Sequence, residues 1–171
     1  EILSGVFNGI AQGTPIAIVI NNTSQHSNDY GNLATTFRPG HADFTYDAKY
    51  GTRDYRGGGR SSGRETAARV AAGAVAKAIL DFYNINVTAF TTKACGIEIT
   101  KTNLEEINQN PLRAPDNEKK KKMEEAIENL RSQGESAGGI VKCIATNVPA
   151  GLGEPVFDKL DAQLAKAMLS I

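Results

Sequence analysis

The sequence has 171 residues with 19 basic and 19 acidic side chains, and this zero net charge argues against a protein whose main role is to coat nucleic acid or an anionic membrane. No apolar run approaches the roughly 20 residues of a membrane-spanning helix, and no basic-then-apolar leader opens the sequence. Because Cys95 and Cys143 lack the spacing of a metal site, we expect a soluble, unsecreted protein of the reducing cytoplasm.

The N-terminal segment is predicted to form two strands joined by a turn. Apolar runs occupy residues 2–7 and 15–20, and Asn8-Gly9 between them favours a turn. The uninterrupted second run indicates burial on both faces. Residues 21–63 lose this periodicity, apart from a short helix predicted at 41–50, and long irregular segments of this kind are often functional.

A long helix is predicted from residue 64 to 83. The residues Ser62-Gly63-Arg64-Glu65 have the S-x-x-E form of a capping box, in which the hydroxyl and the carboxylate each satisfy a backbone donor. Alanine, valine and isoleucine occupy almost every face of the helix that follows. We therefore expect it to be the central and most buried helix.

The remainder of the chain carries two further strands and two further helices. β-Branched residues indicate strands at 85–94 and 139–148. Asp116 is suited to cap a helix, and we interpret the four lysines at 119–122 as a solvated face of it. Another helix is predicted to begin at Pro155. Its core-facing stripe consists of Val156, Leu160, Leu164 and Met168.

The order of these elements predicts the fold class. Helices and strands do not alternate as strictly as a βαβ series requires, so we expect an α+β fold, a sandwich of helices and largely antiparallel sheet. No internal repeat or linker divides the sequence. We expect residues 1–171 to form a single domain, or a large part of one.

Residues 38–69 concentrate charge in an otherwise neutral sequence, with seven basic and four acidic side chains, an excess of three. Arginine presents a planar fork of donors that matches phosphate and carboxylate oxygens. The glycines at 57–59 are a plain connector in one interpretation, but they also let the backbone approach a ligand at a helix N-terminus. We therefore predict an anion site on one face, at the start of the Arg64 helix. Its members are Arg38, Arg53, Arg56 and Arg60.

His41 is the candidate proton-transfer residue of this segment. Imidazole is the side chain best suited to exchanging a proton near neutral pH, and Arg38 is three residues away. An ordinary structural or surface histidine is the alternative. Ser61 and Ser62 lack the glycine-serine elbow of nucleophilic serines, so we expect them to cap the helix or to hydrogen-bond a ligand.

Two other functions stay open on the residues alone. Tyrosines interleave with basic residues between positions 46 and 60, a pattern that can stack nucleic-acid bases, although the segment abuts an apolar helix. An RNA-binding module would bind single strands with a steep salt dependence. The other alternative is an inert folded core, with a patch that attracts anions and no specific ligand.

A series of longer motifs runs through the chain. They are RPGHAD at residues 38–43, KYG at 49–51, RD at 53–54, GGGRSS at 57–62, RETA at 64–67, Ser136 with Gly138-Gly139, and GLGEP at 151–155 after Pro149. Together these motifs closely resemble the signature of the chorismate synthase family, and the similarity covers essentially the whole chain. One departure is Gly63, where the family typically has alanine. Glycine there costs up to about 1 kcal/mol if the site is helical.

The resemblance implies a reaction and a cofactor. The family, a lyase of the shikimate pathway to aromatic amino acids, removes phosphate from 5-enolpyruvylshikimate 3-phosphate by an anti-1,4-elimination that yields chorismate. It requires reduced flavin mononucleotide (FMN), although no net redox change occurs. By resemblance, His41 protonates the reduced flavin with Arg38 beside it. Arg60, Ser61 and Ser62 match the flavin-contacting run, and Ser62 is also assigned to the catalytic group.

The resemblance also shows what this sequence lacks. The family's N-terminal glycine-serine-histidine-glycine motif and the flavin-binding loops of its C-terminal half have no counterpart here. We therefore expect residues 1–171 to be the central part of a homotetrameric enzyme, inactive by itself. An inert core or a residual flavin- and anion-binding module is the alternative. The sequence leaves open whether the parent enzyme reduces its own flavin, the step that would involve NADP.

Overall fold

A computed structural model of the chain describes residues 1–23 and 26–171, with the backbone alone at 27–29. A first compact unit comprises residues 1–76 and 151–171, and a second comprises residues 77–150. The single domain expected over the whole chain stays a prediction. The strands and α-helices are β1 Val6–Phe7, β2 Ile10–Ala11, α1 Asp43–Tyr50, α2 Thr66–Phe82, β3 Asn86–Ala94, β4 Ile97–Glu98, α3 Asn117–Ser132, β5 Gly139–Thr146 and α4 Leu160–Met168.

The first unit begins with a tight hairpin. Strands β1 and β2 pair antiparallel around Asn8 and Gly9, which both have the positive φ that a two-residue hairpin turn requires. The predicted turn is confirmed, but the second strand is β2, and the 15–20 run makes only an isolated bridge from Ile18. Burial of that run on both faces is wrong, since Ile20 is exposed. An apolar run indicates which side chains would favour burial, not whether anything covers them.

The short helix predicted at 41–50 is confirmed as α1, which begins at Asp43. Gly51 ends it in the left-handed conformation, with φ of 70° and its N–H donated to the carbonyl of Asp47. A glycine-rich loop and two short 3₁₀ turns, Gly59–Ser61 and Gly63–Glu65, lead into α2.

The helix predicted at 64–83 is confirmed as α2, but half of its capping box is wrong. The hydroxyl of Ser62 accepts a hydrogen bond from the backbone N–H of Arg64 at 3.3 Å. The carboxylate of Glu65 turns away and accepts from Arg60 at 2.8 Å. The capping-box pattern does not include Arg60, a charged partner that Glu65 contacts in place of the backbone.

The predicted burial of α2 is wrong. None of its residues is buried, and Val70 and Phe82 expose 74% and 82% of their surface. Apolar residues on every side of a helix favour contact with other elements all round it. In the described part of the chain, much of the surface of α2 is instead exposed to solvent. No helix in that part has the length and apolar character needed to span a membrane.

The predicted helix at Pro155 begins later, as α4 at Leu160. The backbones of Glu154 and Asp158 exchange two hydrogen bonds of 2.8 and 2.9 Å. Residues 154–158 therefore form a closed loop and cannot be the first turn of the helix. Its expected core-facing stripe is also wrong, because Leu164 and Met168 are exposed.

The second unit is built on a three-stranded antiparallel sheet in the order β4-β3-β5. Cys95 and Gly96, both with positive φ, turn β3 into β4. Strand β3 pairs with β5 along its length, with an irregularity between Thr91 and Lys93. The strands predicted at 85–94 and 139–148 are therefore confirmed, and so is the α+β class with antiparallel sheet. Cys95 and Cys143 are free thiols.

Helix α3 covers one side of this unit and is capped by Asp116, as predicted. Met123 is fully buried, and together with Phe90, Ile107 and Ala114 it supplies the buried apolar side chains of the unit. The solvated interpretation of the lysines fits the structure, because Lys121 and Lys122 are exposed. Lys120 pairs with Glu124 one turn later.

The Asp116 carboxylate ties the loop before α3 to the helix. It is completely buried and accepts hydrogen bonds from the backbone of Thr100, Lys101 and Lys119 at 2.9 to 3.2 Å. The hydroxyl of Thr100 adds another at 3.0 Å. Burial raises the pKa of Asp116, but these hydrogen bonds outweigh it and lower the pKa to about 2.

We expect Asp116→Asn to lower the free energy of unfolding by about 2 kcal/mol at pH 7, because an amide cannot satisfy all of these donors. The folded pKa lies below the ordinary value of 3.8, so the stabilisation is present above pH 4 and is lost as the pH falls towards 2. Urea unfolding of wild type and variant should therefore converge in acid. The exposed Asp161→Asn is the control, and a constant difference between pH 7 and pH 2 would contradict the argument.

Candidate functional site

Residues 30–64 of the first unit line an open cavity of about 310 Å³, here called the His41 cavity. Most of its lining comes from the turn before α1, from the glycine-rich loop at 57–59 and from the residues that lead into α2. The lining residues are Tyr30, Arg38, His41, Gly57, Ser62, Gly63 and Arg64.

His41 is held by the turn that precedes α1. Its backbone N–H donates to the carbonyl of Arg38 at 3.4 Å, and Gly40 completes the turn with φ of 71°. The ring Nδ1 lies 3.1 Å from the carbonyl oxygen of Pro39. Because a carbonyl oxygen only accepts, Nδ1 carries the hydrogen of this contact and Nε2 keeps the lone pair of the neutral ring. Nε2 is thus the atom at which His41 can take up or release a proton.

Arg38 is oriented by Asp43, at the start of α1. Its Nε and Nη2 donate to the two carboxylate oxygens at 2.9 and 3.0 Å, a bidentate pair. These hydrogen bonds are the main reason that the pKa of Asp43 is lowered to about 2, against the opposing effect of burial. Asp43 is therefore a carboxylate at any pH near neutrality.

Arg53 approaches the same carboxylate from the other side, with Nη1 3.7 Å from Oδ2 of Asp43. Its Nη2 donates to the carbonyls of Leu33 and Thr36, and its guanidinium lies over the ring of Phe37. Arg53 thus fastens the segment before His41 to the segment that follows α1. Its role is internal, because its side chain is 92% buried.

The glycine-rich loop passes close to Arg38. Gly58 has φ of 89°, and a Cβ there would lie 3.0 Å from Oγ of Ser61 and 3.4 Å from Nη2 of Arg38. Only glycine accommodates this approach without strain. Ser61 donates its hydroxyl to the carbonyl of Gly58 at 2.6 Å and so closes the loop. Ser62, one residue on, lines the cavity.

Arg64 is the residue of this cavity that our site assignment missed. In the part of the chain that the structure describes, its guanidinium has neither a carboxylate nor a carbonyl partner. Its charge is therefore available to an anion, whereas that of Arg38 is shared with Asp43. Its position in the sequence could have indicated it, since Arg64 lies two residues after the cap residue Ser62 and hence at the helix start where the anion site is predicted. No feature of the sequence indicated Tyr30.

Arg60 lines a second, open cavity of about 810 Å³, to which Gly58 and Gly59 of the glycine-rich loop also contribute. Arg53 and Arg56 line it too, so the four arginines predicted to share one face divide between two cavities, with Arg38 in the other. Arg60 is 83% exposed and pairs with Glu65. A pair so exposed contributes little to stability, and its guanidinium can exchange Glu65 for another anion.

The His41 cavity therefore brings together an imidazole that can exchange a proton, the guanidinium of Arg38 held by Asp43, and the guanidinium of Arg64, which has no partner among the described residues. The serines have capping and loop-closing roles, and neither is hydrogen-bonded to a histidine that could activate it as a nucleophile. This arrangement suits binding of an anion together with transfer of a proton beside it.

Comparison with known proteins connects this geometry to one family. A family model described as chorismate synthase matches residues 1–171. The chorismate synthase of Syntrophobacter fumaroxidans is 55% identical over 171 residues, and that of Christiangramia forsetii is 54% identical over 175 residues. Each match includes 100% of this chain and 49% of the relative.

A solved structure of a chorismate synthase has the same fold. Its TM-score is 0.79 at 34% identity, and the match covers 100% of this chain and 52% of that one. The chain thus spans about half the length of the relatives that it matches.

Proposed function

The chain belongs to the chorismate synthase family, and we propose that the protein it comes from converts 5-enolpyruvylshikimate 3-phosphate into chorismate and phosphate. The observation that carries this proposal is the His41 cavity, in which a proton-exchanging ring lies with the guanidinium groups of Arg38 and Arg64. The substrate carries a phosphate and carboxylates, which are the groups that arginine recognises best.

The chemistry of the elimination accounts for these residue types. Phosphate leaves C3 and a hydrogen leaves C6, so a conjugated second ring double bond forms and negative charge grows on the departing phosphate. Fixed cations stabilise such a charge most effectively where water is excluded. Arg64 has no partner in the part of the chain that the structure describes and can bind an anion, while Arg38 offers the donors that Asp43 does not use. His41 holds or releases a proton at Nε2.

Reduced FMN is the cofactor that we propose, and it supplies, when bound, the electron-rich ring on which the elimination depends. The residues fit a phosphate-bearing flavin, since the exposed guanidinium of Arg60 can donate hydrogen bonds to a phosphate. By resemblance, Arg60, Ser61 and Ser62 would hold it and His41 would lie beside it. Ser61 can still accept a hydrogen bond, because its hydroxyl acts as a donor within the loop.

We expect the full-length protein to release phosphate and form chorismate under anaerobic conditions with reduced FMN, and to form neither with oxidised FMN. Product is measured by absorbance and by chromatography. A matched reaction without flavin sets the background. Equal turnover with oxidised and reduced FMN would contradict the proposal.

We further propose that residues 1–171 alone are inactive, and that the full protein is a cytoplasmic homotetramer without nucleic-acid or membrane partners. Inactivity is supported by the openness of the site, in which Arg60 and His41 are exposed. The free thiols of Cys95 and Cys143 fit a reducing compartment. The tetramer is supported by the family resemblance.

A further inference from the structure

Asp43 is a buried carboxylate that does not line the His41 cavity, yet it contacts a residue that does. Only 2% of its surface is exposed, although it is the first residue of a short helix. Oδ2 accepts from both the backbone N–H and Nε of Arg38, at 3.2 and 2.9 Å, and Oδ1 accepts from Nη2 at 3.0 Å. Its two oxygens therefore fix Arg38 through both the main chain and the side chain.

The carboxylate is itself held in place by Arg53. Nη1 of Arg53 is buried, lies 3.7 Å from Oδ2 of Asp43 and has no hydrogen-bond partner among the described residues. Oδ2 already accepts two hydrogen bonds from Arg38, which accounts for this longer contact. The other terminal nitrogen of Arg53 is anchored to the carbonyls of Leu33 and Thr36. Both arginines therefore contact the Asp43 carboxylate.

The hydrogen bonds to Asp43 determine which N–H donors of Arg38 are left for a ligand. A guanidinium has five N–H donors, of which the side-chain contacts with Asp43 use two, so three remain. Arg38 lines the His41 cavity, and Gly58 passes close to its Nη2. Without the carboxylate, the Arg38 side chain would sample several rotamers. Its three remaining donors would then not stay in a fixed position relative to His41.

We propose that Asp43 is a positioning residue, which fixes the Arg38 guanidinium with its three remaining donors available to the anion bound beside His41. The inference rests on the proposed function and assigns Asp43 a role in that reaction. The carboxylate also reduces the net charge of the Arg38, Arg53 and Asp43 cluster to +1. Arg38 therefore contributes more by the orientation of its N–H donors than by its positive charge.

The test is a double-mutant cycle in the full-length enzyme with reduced FMN. We expect Asp43→Asn to lower kcat/KM by about 10²-fold, because the amide replaces one acceptor with a donor that opposes Arg38, and misplacement of a binding group costs about this much. We expect Arg38→Ala to cause a loss at least as large. In the Arg38→Ala background, Asp43→Asn should add less than about 2-fold, since Asp43 acts through Arg38.

Asp116→Asn is the matched control, because Asp116 is also a buried helix-capping carboxylate but lies outside the site. It should lower the melting temperature and leave kcat/KM within about 2-fold of wild type. If Asp43→Asn fails to fold, Arg38→Lys gives a second test, since lysine keeps the charge but cannot form the bidentate pair. Its kcat/KM should fall by at least 10-fold.

Three results would overturn the inference. They are multiplicative losses in the cycle, wild-type kcat/KM in folded Asp43→Asn, and wild-type kcat/KM in Arg38→Lys. Product formation by the wild-type enzyme checks the proposed function separately. Its absence would overturn both proposals, whereas additivity with an active wild type overturns this inference alone.

Discussion

The 171-residue chain by itself is expected to form no chorismate, even with reduced flavin and substrate in excess. Catalysis requires charges and a proton donor to be held around the substrate together, and groups that act as a unit fail together when some are missing. The chain spans about half the length of its relatives, and the cavity around His41 is open, so we expect it to form one wall of the complete site. Enclosure and exclusion of water cannot be supplied by that wall alone.

The measurement is anaerobic product formation by the isolated chain beside the full-length enzyme at equal concentration. Activity within an order of magnitude of full length would contradict the prediction. A flavin titration of the isolated chain then separates the two alternatives. A residual module would bind FMN weakly and lose it with added salt, because exposed Arg60 attracts the phosphate, whereas an inert core would show no saturable binding.

In the full-length enzyme, His41→Ala is expected to lower turnover by roughly 10-fold to 10⁴-fold, the range found when a positioned proton donor or acceptor is removed. The fold should stay intact, because His41 is exposed and the hydrogen-bond contact of its ring with Pro39 is the only one among the described residues. Steady-state turnover with reduced FMN, together with a thermal melt, separates the two effects.

His26→Ala is the control for this prediction. His26 is also exposed, and its side chain makes no cap hydrogen bond to the 3₁₀ turn that follows. It should keep wild-type turnover. Turnover of His41→Ala equal to that of His26→Ala would refute a proton-transfer role for His41.

The predictions that succeeded rest on short-range physics. Strands β3 and β5, the position of α1 and the Asp116 cap of α3 all follow from patterns within a few residues of each other. Alternation, helical periodicity and capping chemistry act locally, so the sequence displays them directly. The chorismate synthase family was predicted for the same reason, because the residues of each motif are contiguous.

The predictions that failed depend on what lies opposite an element. The pattern of α2 cannot indicate whether a partner surface is present, and Val70 is exposed. Helix α4 starts late because Glu154 and Asp158 bond to each other across a loop. The sequence shows Arg38, Asp43 and Arg53 only as three separate charges. Nothing in it indicates that Arg53, 15 positions after Arg38, contacts the same Asp43 carboxylate.

The open surface of α2 also bears on the colloidal behaviour of the isolated chain. Side chains such as Val70, Ile79 and Phe82 present apolar area to water, and contact between molecules removes that area. A chain with equal numbers of acidic and basic groups has no net charge at pH 7 to keep its molecules apart. Its solubility is therefore lowest near neutral pH, and moving the buffer away from neutrality restores the repulsion that keeps it dispersed.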